Sequence, residues 1–178
     1  MGLSTVYTRE PGGVKSAEEI RKILLTGAKN KFTKTTDTLL YLSARNEHLE
    51  KILKPALQKK KIVICDRFID STLAYQVYGK GVNKFLVDTI HKLILCDIKP
   101  DLTFVLKLDV RKAFKRVNKR KLKNRYDKFN KSFYIKVQKA FIKIAKTNKK
   151  RYVIIDTSKN IAETENIIFK KFIRVLRR

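Results

Sequence analysis

The chain reads as one α/β domain, a parallel sheet with helices on both faces. Three observations point there. Four short β-branched or aromatic runs recur along the 178 residues, helical periodicities fill the intervals between them, and polar residues follow each run. The length suits a single domain with a sizeable core, and no repeat or linker divides it. The first strand is LSTVY at 3–7. Ser16 with Glu19 then predicts a capping box for a helix carrying Ile20, Ile23 and Leu24. A longer helix starts near Thr35 or Thr36, with Leu39, Leu40, Leu49, Ile52, Leu53 and Leu57 at helical spacing. The second strand, KIVIC at 61–65, is nearly all apolar, as a strand covered on both faces is expected to be. Helical patterns follow at about 83–96, 110–119, 130–147 and 160–176, interrupted by strands LTFVLKL at 102–108 and YVIID at 152–156.

In such a sheet, ligands bind at the carboxyl ends of the strands. Arg9-Glu10-Pro11-Gly12-Gly13 follows the first strand, Asp66-Arg67 the second, Asp109 the third and Asp156-Thr157-Ser158 the fourth. A capping Asp and a surface Arg are the ordinary reading of any one such pair. Four polar ends converging on one sheet edge favour a site.

Composition narrows the classes. A chain 43% hydrophobic and 10% aromatic is globular, and it holds no long apolar run, so no transmembrane helix or secretory signal is expected. Cys65 and Cys96 lack metal-ligand or redox spacing and read as buried thiols of a reduced cytoplasm. The formal charge of +27 allows a nucleic acid, an anionic surface or a small polyanionic substrate. The excess is mostly Lys spread over every helix, without a nucleic-acid-binding motif or basic tail, so nucleic acid is the lesser reading. His48 and His91 fall on helices without evident ligand partners and are assigned no role.

TREPGG (8–13), LLYLSARNEH (39–48), VICDRFIDSTLAYQ (63–76), KPDLTFVLKLDV (99–110) and NRYDKFNKSFY (124–134) resemble, in order, the blocks of bacterial thymidylate kinase. The likeness runs from Ser4 nearly to the end. A strand ending in Asp-Arg before Ser-Thr-x-Ala-Tyr-Gln is its most specific part. Val14 stands where the family usually has Thr, Ala44 where many members have Asp, and Asn124 where Asp is frequent. The resemblance implies a P-loop nucleoside monophosphate kinase fold, transfer of phosphate from ATP to dTMP, Mg²⁺, a cytoplasmic location and a homodimer.

Residue by residue, the resemblance makes Arg67 and Arg9 ligands of the acceptor phosphate. A guanidinium suits that task because its planar fork grips phosphate in two bonds. Asp66 is placed to orient Mg²⁺ through water. Tyr41 is expected to stack on thymine and Arg45, one turn on, to donate to its O4. Ser71, Thr72 and Gln76 match polar base contacts, and Tyr75 the ring beneath the deoxyribose. Residues 116–128 resemble a mobile lid. Within it, Arg125, Arg120 and Arg116 are candidates to stabilise the transferring phosphoryl group, and Asp127 and Phe133 match the end of the block.

One part of the pattern is missing. Kinases of this class carry G-x-x-x-x-G-K-[ST] between the first strand and first helix, and the 178 residues do not contain it. Gly79-Lys80-Gly81 has no glycine five residues earlier and does not follow a strand. The expectation is therefore a thymidylate-kinase-like domain over 1–178, N-terminally truncated, with the first strand and P-loop absent. That strand lies between the strands at 61–65 and 102–108 in the family, so those two are expected to share no ladder and the chain to be poorly stable. A pseudoenzyme or remnant that binds dTMP without catalysis, and a basic nucleic-acid-binding domain, are the alternatives.

Overall fold

A computed structural model describes residues 4–119, 121, 124–158 and 160–176. Strands β1 (Thr5–Arg9), β2 (Ile62–Asp66), β3 (Thr103–Lys107) and β4 (Tyr152–Asp156) alternate with helices α1 (Lys15–Leu25), α2 (Lys34–His48), α3 (Lys54–Gln58), α4 (Ile69–Thr72), α5 (Lys84–Leu95), α6 (Val110–Asn118), α7 (Lys131–Lys146) and α8 (Ile161–Leu176). The order is that of an α/β fold, as the sequence predicts.

The strands pair in parallel as β1–β2 and β3–β4, and no ladder joins β2 to β3 among the described residues. Each pair has its own core. Leu49, Leu53 and Leu95 are buried together, with Val63 of β2 packed against them. Val105 and Tyr152, from β3 and β4, join Ala74, Tyr126, Phe133, Val137, Ala140 and Ile144 in the larger cluster. Ile64 of β2 is 45% exposed, so β2 is not covered on both faces, contrary to expectation, and Leu106 of β3 is likewise exposed. An apolar strand with an open face and an open edge is what a half-sheet presents.

Several boundaries differ from the sequence reading, each for a local reason. β1 lies two residues further along than expected, because its register runs from Thr5 opposite Ile62 to Arg9 opposite Asp66. Arg9 and Asp66 are thus the last residues of adjacent strands. Helix α1 is preceded by Val14 rather than capped by Ser16. Ser16 is already helical, and its hydroxyl donates instead to Glu47 of α2, which removes the capping box. Helix α2 begins at Lys34, where Thr33 accepts from the backbone N–H of Thr36.

Two stretches widen into π-helix, Leu49–Leu53 after α2 and Leu73–Gly79 after α4. The helix from Ile69 to Gly79 was not legible as one, since an i→i+5 turn breaks the 3.6-residue period. Residues 116–128 are not one continuous loop either: α6 extends through 118, and Tyr126–Lys128 form a 3₁₀ turn. Cys96 is exposed, not buried, since it terminates α5 at φ 50°. Asp70 ties the π-helical region to β4, accepting from Arg151 Nη2 at 2.7 Å and Tyr152 OH at 2.8 Å.

Candidate functional site

The carboxyl end of β1 and β2 is built around glycines and carboxylates. The backbone N–H of Glu10 donates to Asp66 O at 2.9 Å, extending the strand pairing by one step. Gly12 and Gly13 then turn with φ 132° and 92°. The φ of 132° at Gly12 is one that side-chain-bearing residues rarely adopt, and it lets the loop fold back so that the Glu18 carboxylate lies against it. Glu18 accepts from Gly13 N and Arg9 Nη2, both at 3.0 Å. Arg9 is therefore exposed beside β2 but already engaged.

Arg67 leaves β2 with φ 67°, a conformation that non-glycine residues adopt at a cost of order 1–3 kcal/mol. The turn lays its guanidinium 5.1 Å from the centre of the Tyr75 ring. Tyr75 and Tyr41 both meet Tyr126 edge-on, at 6.0 and 5.8 Å between centroids. Burial pushes the Tyr41 hydroxyl up to about 12. Gln76 Nε2 donates to Tyr126 OH at 2.9 Å, and Ser71 sits half-buried on the preceding turn. Arg67, Tyr41, Tyr75 and Gln76 are thus brought together through Tyr126, a residue not singled out from sequence.

Arg45 lies deeper, 3% exposed. It donates through Nε to Glu10 Oε2 at 2.8 Å and through Nη1 to Thr72 Oγ1 at 2.8 Å and His91 Nε2 at 2.6 Å. His48 bridges the other carboxylate oxygen of Glu10 to Thr8, at 3.1 and 2.7 Å. The two histidines, given no role from sequence, are buried members of this network. Burial pushes the Glu10 carboxyl up, yet Arg45 and His48 outweigh it and hold the acid below its usual range. Burial, then the charge of Arg45, pushes His91 down to about 4.

A second buried carboxylate organises the far side. Asp37 accepts from Lys80 Nζ at 2.6 Å, from Arg125 Nη2 and from Tyr126 OH. Arg125 is 1% exposed and also donates to Leu24 O. It does not stand on a free lid: its guanidinium is anchored under α1 and α2. Desolvation alone brings Lys80 down to about 8. Arg116 is exposed on α6, and Arg120 lies outside the described residues. Asp66 is exposed at its strand end, and no cluster of three metal-ligating side chains forms among the described residues. A separate cavity of about 550 Å³ opens at the carboxyl ends of β3 and β4, where Lys107, Arg111 and Lys131 meet Asp109 and Asp156.

One signal could have found the missed residues. Asp37, Tyr41, Arg45 and His48 fall at spacings of four, four and three, a polar stripe on one face of α2.

A family model described as thymidylate kinase matches residues 1–168. Thymidylate kinase of Wolbachia pipientis wMel is 48% identical over 143 residues, 80% of this chain and 69% of that protein. Thymidylate kinase of Ehrlichia ruminantium (strain Gardel) is 42% identical over 97% of this chain and 83% of its own length. The crystal structure of thymidylate kinase from Ehrlichia chaffeensis superposes with a TM-score of 0.73 at 35% identity, covering 98% of this chain and 81% of that one.

The buried network predicts an acid-side loss of stability. His91 has a folded value near 4 against 6.5 for the free group, so its neutral form is the one the fold favours. As pH falls below 6.5 the unfolded chain takes up a proton that the folded chain refuses. Glu10, held low when folded, adds to the loss once pH falls below 4.5. Urea unfolding at pH 7 and pH 5 should show about 2 kcal/mol less stability at the lower pH from His91. His91→Gln should flatten most of that slope, and an unchanged slope would contradict the assignment.

Proposed function

This chain belongs to the thymidylate kinase family of nucleoside monophosphate kinases, which use ATP as phosphate donor, and we propose that its described residues form the dTMP side of the reaction centre. The observation that carries this reading is Arg67, held in a left-handed turn at the end of β2 with its guanidinium over Tyr75. Phosphoryl transfer asks the protein chiefly to hold phosphates in line and neutralise their charge. A guanidinium leaving a rigid strand, beside the exposed Arg9 of the neighbouring strand end, suits a monophosphate dianion. Tyr41 provides a face for thymine, Tyr75 a ring for the deoxyribose, and Ser71, Thr72 and Gln76 the polar surround. Arg45, with one N–H of Nη2 to spare, donates to O4.

Asp66 offers one carboxylate at this edge, which fits a Mg²⁺ held largely by water and nucleotide phosphates. The metal, when bound, neutralises phosphate charge. The mixed-charge cavity beyond β3 and β4, where Lys107, Arg111 and Lys131 meet Asp109 and Asp156, is a candidate for part of ATP, while the donor phosphates themselves call for a cradle that these residues lack. Arg125, buried against Asp37, acts on the site by holding Tyr126 rather than from a lid; Arg116 is the exposed candidate for contact with the transferring group, and Arg120 remains a candidate from sequence alone. No helix among the described residues is long and apolar enough to cross a membrane, and a cytoplasmic setting is part of the proposal.

dTMP should bind the folded chain more tightly than dCMP or dGMP in titration calorimetry. Arg67→Ala should weaken dTMP by more than about 1.4 kcal/mol, a tenfold loss fitting one charge-assisted phosphate contact. Equal or absent binding of the three nucleotides would sink the thymine assignment.

We propose further that the 178 residues as they stand bind dTMP without turning it over. None of their loops carries G-x-x-x-x-G-K-[ST], and positioning of the donor phosphates depends on such a cradle. A coupled assay should read no dTMP-dependent ADP from this chain, and activity should follow when a strand–loop–helix segment bearing that motif is fused ahead of β1. Ordinary turnover from the chain alone would overturn this.

A homodimer completes the proposal. Ile20 and Ile23 of α1, Leu39 and Leu42 of α2, and Ile90 and Ile94 of α5 line a furrow of about 670 Å³. Sedimentation equilibrium should give twice the chain mass, shifted toward the monomer by Ile23→Glu. A monomer at all concentrations would exclude this use of the face.

A further inference from the structure

A guanidinium carries five N–H groups and no acceptor. In Arg45, Nε donates to Glu10 Oε2, and Nη2 lies 2.7 Å from that same oxygen. Nη1 is committed twice, to Thr72 Oγ1 and to His91 Nε2. Because arginine only donates, Nε2 of His91 must be the lone-pair nitrogen, and the ring proton then sits on Nδ1. His91 reaches this point from α5, 46 residues along the chain, and is itself buried. An N–H of Nη2 is left without an acceptor among the described residues.

We propose that His91 is a positioning residue for base selection: by accepting from Arg45 Nη1 it fixes the guanidinium so that its spare N–H meets a base carbonyl, as in thymine, and not an amino group, as in cytosine. The inference rests on the dTMP reading above. The geometry needs a neutral ring, since a protonated imidazole has no lone pair to offer and repels the guanidinium. The depressed basicity of His91 agrees with that requirement. Glu10 fixes one side of the fork, and Thr72 and His91 together fix the other. With His91 gone, Nη1 keeps only Thr72 and has a free N–H, so that side of the fork is held by one hydrogen bond instead of two and gains freedom to tilt. A donor that can swing toward water or toward either base loses discrimination before it loses affinity.

Titration calorimetry of the 178-residue protein with dTMP, dUMP and dCMP tests this, using wild type, His91→Gln and His91→Leu. Wild type should prefer dTMP to dCMP. His91→Leu should shrink that ratio roughly tenfold, the worth of one hydrogen bond to a charged group. His91→Gln, whose Oε1 replaces the Nε2 acceptor, should keep the ratio. The dTMP to dUMP ratio should stay constant throughout, because both bases carry O4. If His91→Leu does not fold, His91→Asn, too short to reach Nη1, should lose the ratio that Gln keeps. A Leu or Asn variant with the wild-type dTMP to dCMP ratio, whatever its overall affinity, overturns the proposal. Wild type without a preference for dTMP over dCMP overturns the dTMP reading itself, and His91 falls with it.

Discussion

The buried pair of Glu10 and Arg45 is the interaction on which the rest of the proposed dTMP side depends. It ties the loop after β1 to the middle of α2, and through Thr72 and His91 it adds α4 and α5. Four elements distant in sequence meet at one guanidinium. Each charge is almost wholly withdrawn from water, so neither survives there without the other. Removing one partner of such a pair typically costs about 3–5 kcal/mol, because the remaining charge is left uncompensated. A pair of this kind adds little net stability but admits few alternative arrangements, which is what a recognition site requires.

Asp37 plays the corresponding part on the other side of Tyr41. One carboxylate there faces both Arg125 and Lys80, a local excess of positive charge. Desolvation without full compensation explains why Lys80 titrates low while its neighbour Tyr126 is pushed far above the ordinary phenol range. The consequence is positional. Tyr126 gives its hydroxyl to Asp37 and its ring edges to Tyr41 and Tyr75. Residues 124–128 are thereby tied to α2 and to Tyr75, and the two rings proposed to meet the nucleotide share Tyr126 as a common neighbour.

The sequence made the strands and their polar ends legible because β-branched runs and abrupt changes to Asp, Arg and Glu are local signals. The alternation of elements followed from those, while the family came from the resemblance of whole motif blocks such as VICDRFIDSTLAYQ. Pairings over 35 and 88 residues were not local: Arg45 with Glu10 and Arg125 with Asp37 look like solvated arginines until the fold brings the acids to them. The same holds for His48 and His91, whose partners come from other elements. The π-helical turn at 73–79 escaped for a different reason, since its spacing mimics neither a 3.6-residue helix nor a strand, whereas 49–53 reads as ordinary helix because Leu49, Ile52 and Leu53 keep helical spacing. That no ladder joins β2 to β3 among the described residues agrees with the sequence reading.

A crystal structure of the chain with dTMP tests the central claim most directly. The account predicts the monophosphate within hydrogen-bond distance of Arg67, thymine against Tyr41, and Arg45 still paired with Glu10 while one Nη2 N–H reaches O4. A nucleotide seated instead in the cavity beyond β3 and β4, with Arg67 and Tyr41 untouched, would contradict it.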